Sequence, residues 1–229
     1  MVCMIFGGNN SSSDRRSTQP KNTVGRYYGG VSGLAPIAES PDIQITTAAY
    51  HEAGHIVVAA ALGLSLRPEG IMVGQDAKGL ACYWKEPDRT DASVEANILA
   101  SFAGFYAEKR LRAISGSQAR DYFAVIWSTD WKEARALEGK FSLAYLGNRN
   151  IHAVNDELEA KAEEIIAQYW PAIDALAKIL LGREWEPKKR LKSGTQWSES
   201  ETAKYVTGEE VAHILAGLGI TVQSVTLLP

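Results

Sequence analysis

Cysteine is nearly absent from this chain: two in 229 residues, Cys3 close to the first residue and Cys82 in a strand-like run. Two such thiols make neither a disulfide framework nor a thiolate cluster for a metal, and they fit a reducing compartment, so a cytoplasmic location is expected. Charge of one sign is lacking too, since 24 Lys and Arg against 27 Asp and Glu leave a formal net charge of −3. That excludes a global basic footprint, so nucleic acid is not an expected partner, and Glu186-Pro187-Lys188-Lys189-Arg190-Leu191-Lys192 reads as a solvated loop. The longest apolar run, Ile56 to Leu66, falls well short of a bilayer span, and the opening MVCMIFGGNN has no basic n-region, so no membrane span is expected. A Gly-x-x-x-x-Gly-Lys-Ser/Thr phosphate loop is also missing, which removes ATP-driven work from the expected repertoire.

With 45% hydrophobic and 22% charged residues, what remains is the composition of an ordinary globular protein with one good-sized core. Residues 1–42, rich in Gly, Ser, Asn, Arg and Pro, read as a flexible arm, 43–219 as the folded domain and 220–229 as an apolar tail. Within the domain the spacing predicts a first helix from about 47 to 62, capped by Thr46 or Thr47 and stopped by Gly63. Gly70–Val73 and Gly79–Trp84 then flank a turn-rich segment and predict a β-ribbon.

A second helix, about 92–113, carries Val94, Ile98, Leu99, Phe102, Phe105, Tyr106 and Leu111 on a broad apolar face. A third spans about 118–138 with a break near Ser128-Thr129. Asn155 opens a helix to about 169, Pro171 opens another to about 181, and 183–205 reads as a polar loop insertion. Thr207-Gly208-Glu209-Glu210 is a capping-box pattern for a last helix ending near Gly217. The expected fold is mainly α, a helical domain with a small β-ribbon beside the first helix.

That helix carries His51-Glu52-Ala53-Gly54-His55. At a spacing of four, two imidazoles leave one helix face a turn apart and can hold a single Zn²⁺, with the intervening glutamate beside a metal-bound water. The flanking residues are apolar on nearly all sides, so the cluster is expected to be buried, where polar groups need partners. The pattern points to a zinc hydrolase with His51 and His55 as ligands and Glu52 as the base. A third ligand is then required. The His-Glu-x-x-His-x-x-Gly-x-x-His form is absent, because Val58 and Ala61 occupy its glycine and third-histidine positions.

The chain resembles the peptidase domain of the FtsH-type AAA proteases, peptidase family M41. The resemblance runs over about residues 45–216 through Tyr50–His55, Gly79-Leu80-Ala81 leading to Glu86–Arg89, Ala103-Gly104 with Ala107-Glu108, Ser128-Thr129-Asp130 with Ala134, and Thr207–Val211. It implies that Asp130 is the third ligand of one zinc per chain. It also implies that the ribbon edge at Gly79, Leu80 and Ala81 binds peptide by strand addition and that the protein forms a homo-oligomer. A carboxylate is an acceptable zinc ligand, while the plainer role for Asp130 is a helix cap; Glu108, Asp121, His152 and His213 are the other candidates. The family's ATPase module and membrane segment have no counterpart here. The expected activity is therefore ATP-independent hydrolysis of flexible or unfolded polypeptide. The alternatives are a peptidase subunit served by a separate ATPase and a non-catalytic zinc-stabilised binding module.

Overall fold

The computed structural model describes residues 40–85, 87, 90–114, 129–189 and 198–226. Its six helices and four strands run in the order α1 (Pro41–Ala61), β1 (Leu66–Gly74), β2 (Gly79–Tyr83), α2 (Asp91–Ile114), α3 (Thr129–Glu138), α4 (Leu143–Leu146), α5 (Ile151–Gly182), β3 (Glu186–Pro187), β4 (Thr202–Val206) and α6 (Gly208–Gly217) among the described residues. The expectation of a mainly helical domain with a small β-element holds.

Helix α1 starts earlier than the threonines suggest. Ser40 accepts a hydrogen bond from the Ile43 amide and Pro41 occupies the first turn, where its fixed φ suits a helix and its missing N–H removes no intrahelical bond. Residues 41 and 42 thus belong to the helix rather than to the arm, whose residues 1–39 lie outside the described residues. Every residue from Ala49 to Ala60 is buried, because α2, α5, β1 and β2 all pack around α1. A helix apolar on all sides must be central, and α1 is. Gly63 turns the chain out at φ +79°, as expected.

The ribbon forms with Ile71 opposite Ala81 and Val73 opposite Gly79, but it is half of a four-stranded antiparallel sheet ordered β2-β1-β4-β3. The polar loop expected over 183–205 is corrected accordingly, since its ends supply β3 and β4. Thr202-Ala203-Lys204-Tyr205 alternates, with Ala203 and Tyr205 buried and Thr202 and Lys204 half-buried, which is the period of a strand. One sheet face joins the main core, and the other holds a small cluster of Met72, Leu80, Cys82, Ala203 and Tyr205. The tail is tied down as well: Leu66 and Val225 form a parallel bridge, and Leu66 exchanges backbone hydrogen bonds with Ser224 and Thr226.

Two helices expected between 155 and 181 are one, α5, capped by Asn150 instead of Asn155 and carrying Pro171 inside. An interior proline costs about 3 kcal/mol or more. Here its ring is exposed, and the carbonyl freed at Ala167 belongs to an exposed residue that water can reach. Leu158, Ala162, Ile166, Ile173, Leu176, Ala177 and Leu180 continue one buried stripe through the proline against the core, and burial on that scale outweighs the single defect. Helix α2 buries Val94, Ile98, Leu99, Phe102 and Tyr106 as its spacing predicts. The segment of the expected third helix before residue 129 lies outside the described residues, and α3 supplies the remainder. The Thr207–Glu210 capping box is present with both reciprocal bonds.

Candidate metal centre

On α1 the two histidines leave the same face and their rings meet edge to face, with centroids 4.7 Å apart and planes at 71°. Nε2 of His51 lies 2.9 Å from Nε2 of His55. Asp130, the second residue of α3, brings Oδ2 to 3.3 Å from the first nitrogen and 3.6 Å from the second. It is therefore not a cap; its carboxylate is spent on the histidines. Zinc–ligand distances of about 2.0–2.1 Å in a tetrahedron place neighbouring donors about 3.3 Å apart, and these three atoms form a triangle of that size. His51, His55 and Asp130 are the one such group able to hold a metal ion among the described residues, and all three are buried.

The triangle has room above it because α2 presents a glycine there. A β-carbon on Gly104 would lie 2.3 Å from Nε2 of His55 and 2.4 Å from Nε2 of His51, far inside contact distance. The glycine thus lets the α2 backbone pass beside both donors without pressing on them, and the donor set of two imidazoles and one carboxylate suits zinc. Lower down, Gly54 lets α1 and α2 approach, since a β-carbon there would meet the Ala103 carbonyl oxygen at 2.7 Å. Nδ1–H of His55 donates to the Ala100 carbonyl over 2.7 Å, which leaves the Nε2 lone pair directed at the triangle.

Glu52 faces the sheet. A β-carbon on Gly79 would come within 2.4 Å of its Cγ, and its carboxylate accepts a hydrogen bond from the Ala81 amide. Its Oε2 is buried without a partner among the described residues. Burial pushes the Glu52 carboxyl up to about 7, against the histidines' charges and with that of Asp130. Burial also presses the His51 imidazole downward, but contacts with Asp130 and Glu108 and the charge of Glu52 outweigh it and carry it up to about 10. Asp130 is likewise pushed up by burial, yet the two histidines hold it well below the ordinary carboxylate range. Tyr83 borders the site from β2; burial, together with the charges of Asp130, Glu133 and Glu52, keeps its phenol protonated.

Glu108, an alternative ligand by sequence, is neither free surface nor a member of the triangle. Its Oε2 stands 3.6 Å from Nδ1 of His51, and Arg112 donates to its other oxygen. Burial opposes its ionisation, and the charges of His51 and Arg112 reverse that, holding it below its usual value. His152 is exposed on α5 and His213 lines a surface cleft with Arg183, Glu209, Glu210 and Ile214, so neither joins the group. Asp121 lies outside the described residues. Gly79, Leu80 and Ala81 sit on β2, the terminal strand of the sheet, and all three are buried. The spacing of α2 held a signal for the rest: Ala100, Gly104, Glu108 and Arg112 recur one turn apart along the face that meets the histidines.

No family model matches the chain, and no curated protein matches it.

Proposed function

We propose that the chain is a zinc metallopeptidase of the FtsH-type M41 kind that cleaves flexible or unfolded polypeptide without ATP. The observation that carries the reading is the triangle of two Nε2 atoms and one Oδ2 beneath the side-chain-free Gly104, with the carboxylate of Glu52 one residue from the first ligand. Zinc bound there would polarise the scissile carbonyl and bring the pKa of a water toward neutrality.

The chain's own residues supply the rest. Glu52 takes the proton of the attacking water and passes it to the leaving amine, a task open to a carboxylate whose Oε2 is buried without a partner among the described residues. His55 is fixed in its tautomer by Ala100, and Asp130 completes the ligand set. An extended peptide would add to the outer edge of β2 at Gly79, Leu80 and Ala81. The Ala81 amide that donates to Glu52 in the free chain is a group such a strand would engage.

One observation favours a second reading, a zinc-stabilised module without catalysis. His51, Glu52, His55 and Asp130 are each at most 3% exposed, and structural zinc sites are closed. Loading the protein with zinc and incubating it with a disordered protein, beside a Glu52→Gln variant, separates the two. Fragments from the parent chain alone support the peptidase, and equal fragmentation by both, or by neither, contradicts it.

A further inference from the structure

Lys85 and Glu133 join the end of β2 to α3, the helix that carries Asp130. Side chains alternate along β2: a β-carbon on Gly79 would meet Glu52, Ala81 and Tyr83 belong to the main core, and Leu80 and Cys82 belong to the cluster on the other sheet face. Lys85 stands two residues beyond Tyr83. Trp84 turns the other way, its ring against the Arg67 guanidinium and its Nε1 donating to the Thr226 carbonyl. On α3, Glu133 follows Asp130 by three residues and so shares its side of the helix, the side on which Asp130 and Ala134 are buried. Nζ of Lys85 donates to Oε2 of Glu133 over 2.6 Å, and the two side chains are 19% and 24% exposed. The bond therefore lies one step outward from Tyr83 on the sheet and from Asp130 on the helix, and the Glu133 charge is among those that keep the Tyr83 phenol protonated.

We propose that Lys85 is a positioning residue for the metal centre: its bond to Glu133 fastens the start of α3 to the end of β2 and so holds the Asp130 carboxylate at the two histidines. The proposal rests on the metal-centre reading and deepens it. Lys85 acts on Asp130 through Glu133 and the helix between them. Asp130 is the second residue of α3, where the helical ladder restrains the chain least, and a ligand must be held to within about 0.5 Å for a site to be preorganised. Other contacts anchor α3 to helices: the Trp131 ring lies 4.8 Å from that of Phe102 and 6.1 Å from that of Phe105 on α2, and Arg135 donates to Glu159 of α5. Lys85 adds an anchor to the sheet. An ion pair in open solvent contributes little, but a short charge-assisted bond between two half-buried side chains holds its geometry better.

The test compares the full-length protein with Lys85→Met, Lys85→Arg and the double variant Lys85→Met, Glu133→Gln. Zinc affinity is read by competition with a chromophoric chelator, the absorption bands of bound Co²⁺ are recorded, and unfolding of the metal-free forms is followed in parallel. Lys85→Met is expected to bind zinc about 3- to 10-fold more weakly, less than the loss for a partner that touches a ligand, and to shift the Co²⁺ bands. Charge alone acts in the opposite sense, since removing a cation near the site favours a second cation. Lys85→Arg keeps the pair and is expected to retain most of the affinity. The double variant leaves the net charge as it was and is expected to bind no more weakly than Lys85→Met, because both changes break one bond. A purely structural role would lower metal-free stability and leave the affinity of the folded protein and the Co²⁺ bands unchanged. Should Lys85→Met fail to fold, the double variant, with no unpaired carboxylate, must still bind zinc more weakly than the parent. Parent-like or tighter zinc binding in Lys85→Met or in the double variant, or a Lys85→Arg no better than Lys85→Met, overturns the proposal and leaves the metal-centre reading standing. Failure of the parent protein to bind zinc overturns both together.

Discussion

Gly104 and His55 belong to different helices, and the hydrogen on the Gly104 α-carbon is what lets them coexist, since a β-carbon would stand 2.3 Å from the histidine Nε2. The same virtual atom lies 2.4 Å from Nε2 of His51, so one methyl group would press on both donors at once. The packing of α1 against α2 is shared between the core and the site, and the glycine is where the two demands meet.

Gly104→Ala is therefore expected to abolish tight zinc binding. Overpacking of this kind costs about 1–3 kcal/mol of stability, small enough for a folded protein to be recovered. Chelator competition reports the lost affinity, and circular dichroism verifies that the helices persist. Unimpaired zinc binding by this variant would show that the metal is not held by the two Nε2 atoms that Gly104 borders.

Asp130→Ala removes a ligand where Glu108→Ala removes an outer partner, so its loss of zinc affinity is expected to exceed the roughly 10- to 100-fold of the latter. Titration with zinc under a competing chelator ranks the two. If the order were reversed, Asp130 would not be the third ligand.

The stability of the metal-free protein and the increment that zinc adds to it should respond to pH in opposite senses. In the folded metal-free chain Glu52 is raised from 4.5 to about 7 and His51 from 6.5 to about 10. Both bind protons more tightly folded than unfolded, so the stability they contribute is complete below the ordinary values and is lost as pH rises through the folded ones. Asp130 and Glu108, held below their usual values, act in the other sense only at lower pH. Zinc competes with the His51 proton, so its binding strengthens across the same range. Thermal unfolding between about pH 5 and about pH 9 should thus show a falling Tm without zinc and a growing increment from zinc. A zinc increment that shrinks toward high pH contradicts the ligand role of His51.

Much of this was legible in the sequence because it is local. His51, Glu52 and His55 share one helix, and the capping box at Thr207 is four consecutive residues. What was not legible depends on distant partners. The early start of α1 rests on one serine and one proline, the run of α5 through Pro171 on a buried stripe spanning its whole length, and β4 on pairing with β1 across more than a hundred residues. Asp130 was reached through a family resemblance, and its place beside the histidines is tertiary. Glu108 stands among the alternative ligands by sequence, behind Asp130 because it reads more easily as a surface or packing residue; only the packing of α2 on α1 brings its Oε2 to the Nδ1 side of His51.

The most direct measurement of the central claim is cleavage of one substrate protein, in native and permanently unfolded forms, by the zinc-loaded chain and by its Glu52→Gln variant, with and without ATP. Loss of the base costs about 10²- to 10⁴-fold in rate while leaving the metal in place, and a folded domain cannot offer an extended strand to β2. The account predicts fragments from the unfolded form alone, indifference to ATP, and intact substrate with the variant despite one bound zinc per chain. Equal cleavage of native and unfolded forms, cleavage by Glu52→Gln at the parent rate, or a zinc-loaded parent that cuts neither form would contradict it.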